Sequence, residues 1–190
     1  RNPKRDIRIV RDLEDGRWVF CSAFQLLNNG AAQWVTMDLF YTDADGLILE
    51  HWDTIAPYEA ALPSGEDMVG GPAEPDPAAD TAASKALILE YTKQVLQEGG
   101  HDRLDQFVAA DLIQRAPGIG AGRAGLATWL ASEEAGRYEM LFRLVGQGDL
   151  VITYGKRHAQ GKDIAVFDIY RVAGGRIVEH WMNEEEISPR

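Results

Sequence analysis

"LILEHWDTI" at residues 47–55 and "RIVEHWMNEE" at residues 176–185 read as one phrase written twice. In each, an aliphatic run follows a Gly and leads into Glu-His-Trp: Glu50-His51-Trp52 in the first, Glu179-His180-Trp181 in the second. The likeness extends upstream, where Asp38-Leu39-Phe40 falls on Asp168-Ile169-Tyr170. Each neighbourhood, from residue 6 and from residue 138, gives four stretches rich in Val, Ile, Phe and Tyr bounded by Gly, Asp and Asn. That is the pattern of antiparallel strands joined by hairpins. Self-similarity on this scale predicts a tandem duplication.

Between the copies, residues 59–80 are rich in Pro, Gly, Ala and acids, which predicts a semi-extended, solvated linker. A helix is expected next. Leu87, Ile88, Tyr91 and Val95 recur at helical spacing, Asp80, Thr81 or Ser84 can cap it, and Gly99-Gly100 stops it. Shorter helices are expected near 103–110 and 123–134. The second unit then reads three helices and a four-strand meander, whereas the first has the meander alone. The expected organisation is a sheet portion over 1–58, a linker over 59–80 and a complete α+β unit over 81–190.

Composition narrows the functional classes. The chain is 45% hydrophobic and 26% charged, an ordinary globular balance. A net charge of −11 argues against a nucleic-acid partner, which needs clustered Lys and Arg. No apolar run is long enough to span a membrane. The single cysteine, Cys21, can form no internal disulfide and fits a reducing, cytoplasmic setting. The first residue is Arg1 and not Met, so the sequence leaves an N-terminal signal open.

Helices first and a curved antiparallel sheet after them resemble the nuclear transport factor 2-like superfamily, and within it the SnoaL-like polyketide cyclase and aldol-condensation group. The likeness is carried by Leu112-Ile113-Gln114-Arg115-Ala116-Pro117 before the third helix and by the terminal hairpin Ala165–Trp181. It implies a cone of three helices on a curved sheet and a small hydrophobic carbonyl compound as ligand. It also implies cofactor-free cyclisation, aldol or isomerase chemistry. Ketosteroid isomerases share that fold and keep an acidic residue neutral in an apolar site; by resemblance Asp38 stands at that residue's place. Members often carry His where Arg115 stands, which speaks against a His-rich or metal mechanism here.

The repeated Asp and His are the candidate acid–base pairs, because partners on neighbouring strands must share one face. A three-residue loop, Ala173-Gly174-Gly175, closed by Val172 and Arg176, sets Asp168 directly across from His180. A four-residue loop over Asp43–Gly46 sets Asp38 across from His51. A two-residue Gly174-Gly175 turn would instead put Asp168 and His180 on opposite faces. Tyr154 is a candidate oxyanion donor, and Tyr170, Met182, Val178, Asp53 and Arg115 are candidate ligand contacts. Met182 replaces the carboxylate that Asp53 supplies in the first copy. The competing role for each Asp–His pair is structural, a buried hydrogen bond that fixes register. On the catalytic reading, Asp168→Asn and His180→Ala keep the fold and alter ligand binding.

Trp52 and Trp181 alternate to the opposite face and are expected as core or interface anchors. Glu50 and Glu179 share that face, solvated or paired with Arg. The Gly120–Gly125 segment matches GxGxxG, but hairpin strands lack the parallel unit a dinucleotide site requires. No metal-ligand spacing is present, so no metal is expected. The partner expectation is an intramolecular pseudo-dimer, the two sheets back to back, or a homodimer. The alternative function is a non-catalytic ligand-binding or dimerisation module.

Overall fold

The computed structural model describes residues 4–188. Its elements in chain order begin with β1 (Asp6–Asp15), β2 (Trp18–Leu27), β3 (Ala32–Thr42) and β4 (Ile48–Pro57). An irregular strap leads to α1 (Thr81–Tyr91), which runs on as a wider turn through Gln97, and to the single turn α2 (Leu104–Phe107). Then come β5 (Val108–Gln114), α3 (Gly122–Leu130), β6 (Arg137–Gln147), β7 (Leu150–Ala159), β8 (Lys162–Ala173) and β9 (Arg176–Glu186). The first four strands form one sheet in the order β1-β2-β3-β4. The other five form a second, β5-β9-β8-β7-β6, with β5 parallel to β9. No helix among the described residues is long and apolar enough to cross a membrane.

Alternation along β8 explains why the sheets stack. Phe167 and Ile169 point one way into a core shared with Leu13, Phe20, Met37 and Leu39 of the first sheet and with Trp181. Val166 and Tyr170 point the other way, into a core under the helices with Ile88, Tyr91, Leu126 and Trp129. Trp52 flanks the inter-sheet core. Both faces of β8 are therefore dry, which accounts for its near-continuous apolar sequence. Polar ties cross the same interface: the Asn183 side-chain amide donates to the Val35 carbonyl at 2.8 Å, and the Ile55 amide donates to Glu185 at 3.1 Å. The outward face of the first sheet carries no such cover. Ile7, Ile9, Leu49 and Ile55 on it are exposed.

Register departs from the sequence expectation in both hairpins. Ala173 pairs with Arg176 across a two-residue Gly174-Gly175 turn, and both glycines adopt the positive φ that such a turn demands. That turn alone would turn His180 away from Asp168. A bulge at Val178 then adds one residue, so Arg171 pairs with Glu179, Tyr170 with His180 and Asp168 with Met182. Two shifts of one residue restore the face and leave Asp168 and His180 diagonal instead of opposite. The first sheet follows the same plan: Thr42 pairs with Ile48, a bulge falls at Leu49, Phe40 meets His51, and Asp38 meets Asp53.

The 59–80 stretch is irregular and largely exposed, yet part of it packs against the sheets. Leu62 and Met68 are buried against Val35. The Arg11 guanidinium lies 4.2 Å over the Trp181 ring and donates to the Val69, Gly70 and Pro72 carbonyls. Trp181 Nε1 donates to the Gly70 carbonyl at 3.1 Å. Gly71 has φ +88°, and a Cβ there would stand 2.7 Å from the Trp181 ring. Backbone carbonyls do this work, so no composition count could reveal it. Phe167→Ala would remove a fully buried ring from the inter-sheet core and is expected to cost about 3–5 kcal/mol by urea unfolding. A loss below about 1 kcal/mol would mean the two sheets do not share that core.

Candidate functional site

The helix-facing side of the second sheet carries a continuous polar chain inside an apolar shell. His180 Nε2 lies 2.8 Å from Asp168 Oδ1, and His180 Nδ1 lies 3.0 Å from Gln114 Oε1. The Ala116 amide also donates to Gln114 Oε1 at 3.0 Å, which fixes the orientation of that side-chain amide. Both imidazole nitrogens thus face acceptor oxygens, an arrangement that a doubly protonated ring satisfies in full. At the other end the Tyr138 hydroxyl donates to Asp168 Oδ2 at 3.4 Å and approaches Met182 Sδ at 3.9 Å. The Tyr170 ring stacks on His180 at 4.9 Å and 9°. Asp168 is 1% exposed and His180 4%.

Tyr91, Tyr138 and Tyr170 surround the carboxylate. Burial pushes each phenol well above its ordinary value, and the negative charge of Asp168 adds to the rise. All three stay protonated and available as donors. Gln114 Nε2 is a buried N–H donor without a partner, one of four such side-chain atoms among the described residues and the one that lies at this site. Buried donors are rarely left so, because each costs free energy unless something accepts from it.

Of the residues singled out from sequence, Asp168, His180, Tyr170 and Met182 come together here. Six others do not: Tyr154, Arg115 and Val178, and in the first sheet Asp38, His51 and Asp53. Tyr154 pairs with Phe167 and stacks on it at 4.5 Å, on the inter-sheet side; Thr153 is the residue across from Asp168. Arg115 lies just past the end of β5, and its side chain points to the opposite side from Gln114. It donates to Glu179 at 2.6 Å, with Glu66 and the Asp67 carbonyl as further partners. Glu179 is buried and also takes Arg171 at 2.8 Å, so it is paired and not solvated. Val178 is the bulge residue and half-buried. Gln114 and Tyr138 were missed. The sequence signal for Gln114 was the segment around residues 112–117, but strand β5, which carries it to His180, has no periodicity that marks it as a strand.

The first sheet repeats the pair in another setting. His51 Nε2 lies 2.9 Å from Asp38 Oδ1, and Phe40 stacks on His51 at 4.4 Å and 5°. Here the side chains are 20% exposed for Asp38 and 41% for His51, with exposed Asp53 beside them. Cys21 pairs with Asp38 across β2–β3, and its thiol is pushed up to about 11, first by burial and then by Asp38 and Asp12. Among the described residues no group of three or more His, Cys, Asp or Glu converges on a metal-sized site.

Removing one partner of a buried, paired charge leaves the other uncompensated, whereas an exposed pair is screened by water. His180→Ala is therefore expected to cost about 3–5 kcal/mol and His51→Ala less than about 1 kcal/mol, measured by urea unfolding. This revises the sequence expectation that His180→Ala spares the fold. Equal costs would show that the two pairs share one environment.

Residues 88–180 match the SnoaL-like domain family. None of the curated proteins matches the chain. A proposed ketosteroid isomerase from Kribbella flavida shares the fold with a TM-score of 0.51 at 18% identity, over 59% of this chain and 84% of that one. A nuclear transport factor 2-like protein of unknown function from Burkholderia xenovorans aligns with a TM-score of 0.49 at 19% identity, over 57% of this chain and 88% of its own. IdmH, a proposed polyketide cyclase from Streptomyces antibioticus, aligns at 0.47 and 20% identity, over 54% and 91%. Residues 88–180 thus resemble a SnoaL-like domain, and the chain shares its fold with the Kribbella flavida protein.

Proposed function

We propose that the C-terminal unit binds a small hydrophobic carbonyl compound inside the cone. The observation that carries this reading is the position of Met182. It lines a cleft of about 330 Å³ together with Pro117, Gly118, Trp129, Arg157 and Ile164. Its sulfur also touches the Tyr138 hydroxyl, and it stands directly across from Asp168. Thioether side chains adapt their shape easily, so a ligand entering from the cleft can displace Met182 and reach the polar chain. The Gln114 amide is a donor that lacks an acceptor, and the Tyr138 hydroxyl, held by a long 3.4 Å bond to Asp168, can turn to a ligand carbonyl.

Cofactor-free acid–base catalysis is the second reading, and one contact favours it. Asp168 Oδ2 is held only by the long 3.4 Å bond from Tyr138, so it is the freer of the two carboxylate oxygens. Proton abstraction next to a carbonyl needs a base within hydrogen-bond reach of that carbon.

We also infer that the first sheet and the second unit arose by duplication, as a pseudo-dimer within one chain. The shared strand plan, the matched bulges at Leu49 and Val178, and the two ring-stacked Asp–His pairs support this. The boundaries 1–58, 59–80 and 81–190 belong to the same proposal.

Titration with 2-acetonaphthone, followed by tryptophan fluorescence, tests the binding reading. Saturable binding is expected, weakened about tenfold in Tyr138→Phe, which removes one hydrogen bond and keeps the ring. Unchanged affinity in that variant would sink the assignment. Deuterium exchange of the ketone's methyl protons in heavy water, followed by NMR, separates the two readings. Acceleration that Asp168→Asn abolishes supports catalysis; exchange at the buffer rate leaves a binding module.

A further inference from the structure

Arg143 and Trp52 repeat, across the two sheets, a pairing that Arg11 and Trp181 make once already. Laid on residues 138–147, residues 6–15 place Val10 on Phe142 and Arg11 on Arg143. The geometry agrees. A bulge falls at Val10 in β1 and at Phe142 in β6, after which Arg11 pairs with Ser22 and Arg143 with Tyr154. Each guanidinium then reaches the tryptophan of the other copy's Glu-His-Trp. Arg11 lies 4.2 Å over Trp181, and Arg143 lies 5.8 Å over Trp52 and 5.1 Å over Trp18.

What covers the two pairs differs. The strap runs over the first: Arg11 donates to the Val69, Gly70 and Pro72 carbonyls, and Trp181 Nε1 donates to the Gly70 carbonyl. Gly71 passes so close that a Cβ on it would stand 2.7 Å from the indole. Arg11 is 3% exposed and Trp181 1%. At the second pair lies an open cleft of about 190 Å³, lined by Trp52, Phe142, Arg143 and Tyr154 and by no strap residue. Trp52, Phe142 and Tyr154 are half-buried there, and Arg143 is exposed. Arg143 donates to the carbonyl of its own neighbour, Phe142, at 2.7 Å and forms no ion pair among the described residues. A guanidinium lying on aromatic faces leaves its other in-plane N–H groups available to acceptors. The Tyr154 phenol, pushed up by burial and then by Asp53, stays protonated and adds a donor.

We propose that this cleft docks a glycine-containing peptide segment, with a glycine over the Trp52 ring and successive backbone carbonyls on the Arg143 guanidinium. Such docking rests on the matched plan of the two sheets, proposed above as a duplication, and is independent of ligand binding at Met182. The first pair shows the kind of occupant, because there the chain's own Val69–Pro72 run supplies those groups. The volume fits the same occupant. Drug-sized ligands fill pockets of about 300–1,000 Å³, which this cleft does not reach, whereas a narrow chain crosses it with both ends outside. Backbone carbonyls also bring no charge, so the net charge of −11 does not oppose them as it would an anion.

The probe is acetyl-Asp-Met-Val-Gly-Gly-Pro-Ala-amide, the sequence of residues 67–73, titrated into the full chain and read by indole and backbone N–H shifts. Saturable shifts are expected at the Trp52 indole and at the amides of Phe142, Arg143 and Tyr154. A Kd on the order of 1 mM suits a short peptide held by a few hydrogen bonds. Arg143→Gln, at an exposed position, should keep the urea midpoint close to that of the native chain and weaken the peptide about tenfold. Valine in place of the peptide's second glycine should weaken it at least as much, because a side chain there meets the indole. Binding of 2-acetonaphthone should be unaltered in Arg143→Gln, so failure here and failure of the reading at Met182 are told apart. Shifts confined to Trp181, where the peptide would only displace the strap, would overturn the proposal. So would a lack of saturation up to about 10 mM, or an affinity unchanged by either substitution.

Discussion

Strand β8 has no solvent face, and the rest of the molecule is arranged around that constraint. Phe167 and Ile169 must meet an apolar surface on one side while Val166, Asp168 and Tyr170 meet another on the opposite side. The first sheet supplies one surface with Phe20, Met37 and Leu39; α1 and α3 supply the other with Ile88, Tyr91, Leu126 and Trp129. A strand buried on both faces removes apolar surface from water at two interfaces at once. The strap tightens the assembly through its carbonyls, using Arg11 and Trp181 as anchors.

The same Asp–His unit sits in two dielectric settings within one chain. Under the helices, Asp168 and His180 are cut off from water and every lone pair or proton that faces inward has to find a partner. Gln114 and Tyr138 answer most of that demand, which leaves a single donor over. On the open face of the first sheet, Asp38 and His51 are partly wetted and screened, and Asp53 stands where Met182 stands in the other unit. Coulombic coupling at a given distance is several times stronger in the first setting than in the second. A sequence that writes the pair twice has thus produced two different chemical objects.

Much of the fold was legible because it rests on local signals. Alternating apolar residues marked the eight meander strands, and Gly174-Gly175 marked a turn, read one residue longer than the Ala173–Arg176 pairing makes it. The Glu-His-Trp repeat pointed to two related sheets. What stayed hidden depends on long-range partners. Val178 and Leu49 look like any strand residue, yet their bulges decide which residues stand across from Asp168 and Asp38. Residues 108–114 lack a clear period, and only pairing with β9 makes them a strand that delivers Gln114 to His180. Tyr154 was one position out of phase with Asp168. Arg115 was a candidate because similar proteins often carry His at its place, whereas here Gln114 reaches His180 and Arg115 faces Glu179 on the other side.

Native-state hydrogen exchange tests the central claim that the two sheets stand or fall through one shared core. The amides of Met37 and Leu39 in β3 should exchange with the same opening free energy as those of Phe167 and Ile169 in β8, because both pairs open only when the inter-sheet core does. A markedly lower value for β3, with β8 still protected, would contradict the account and make the first sheet an independent, peripheral layer.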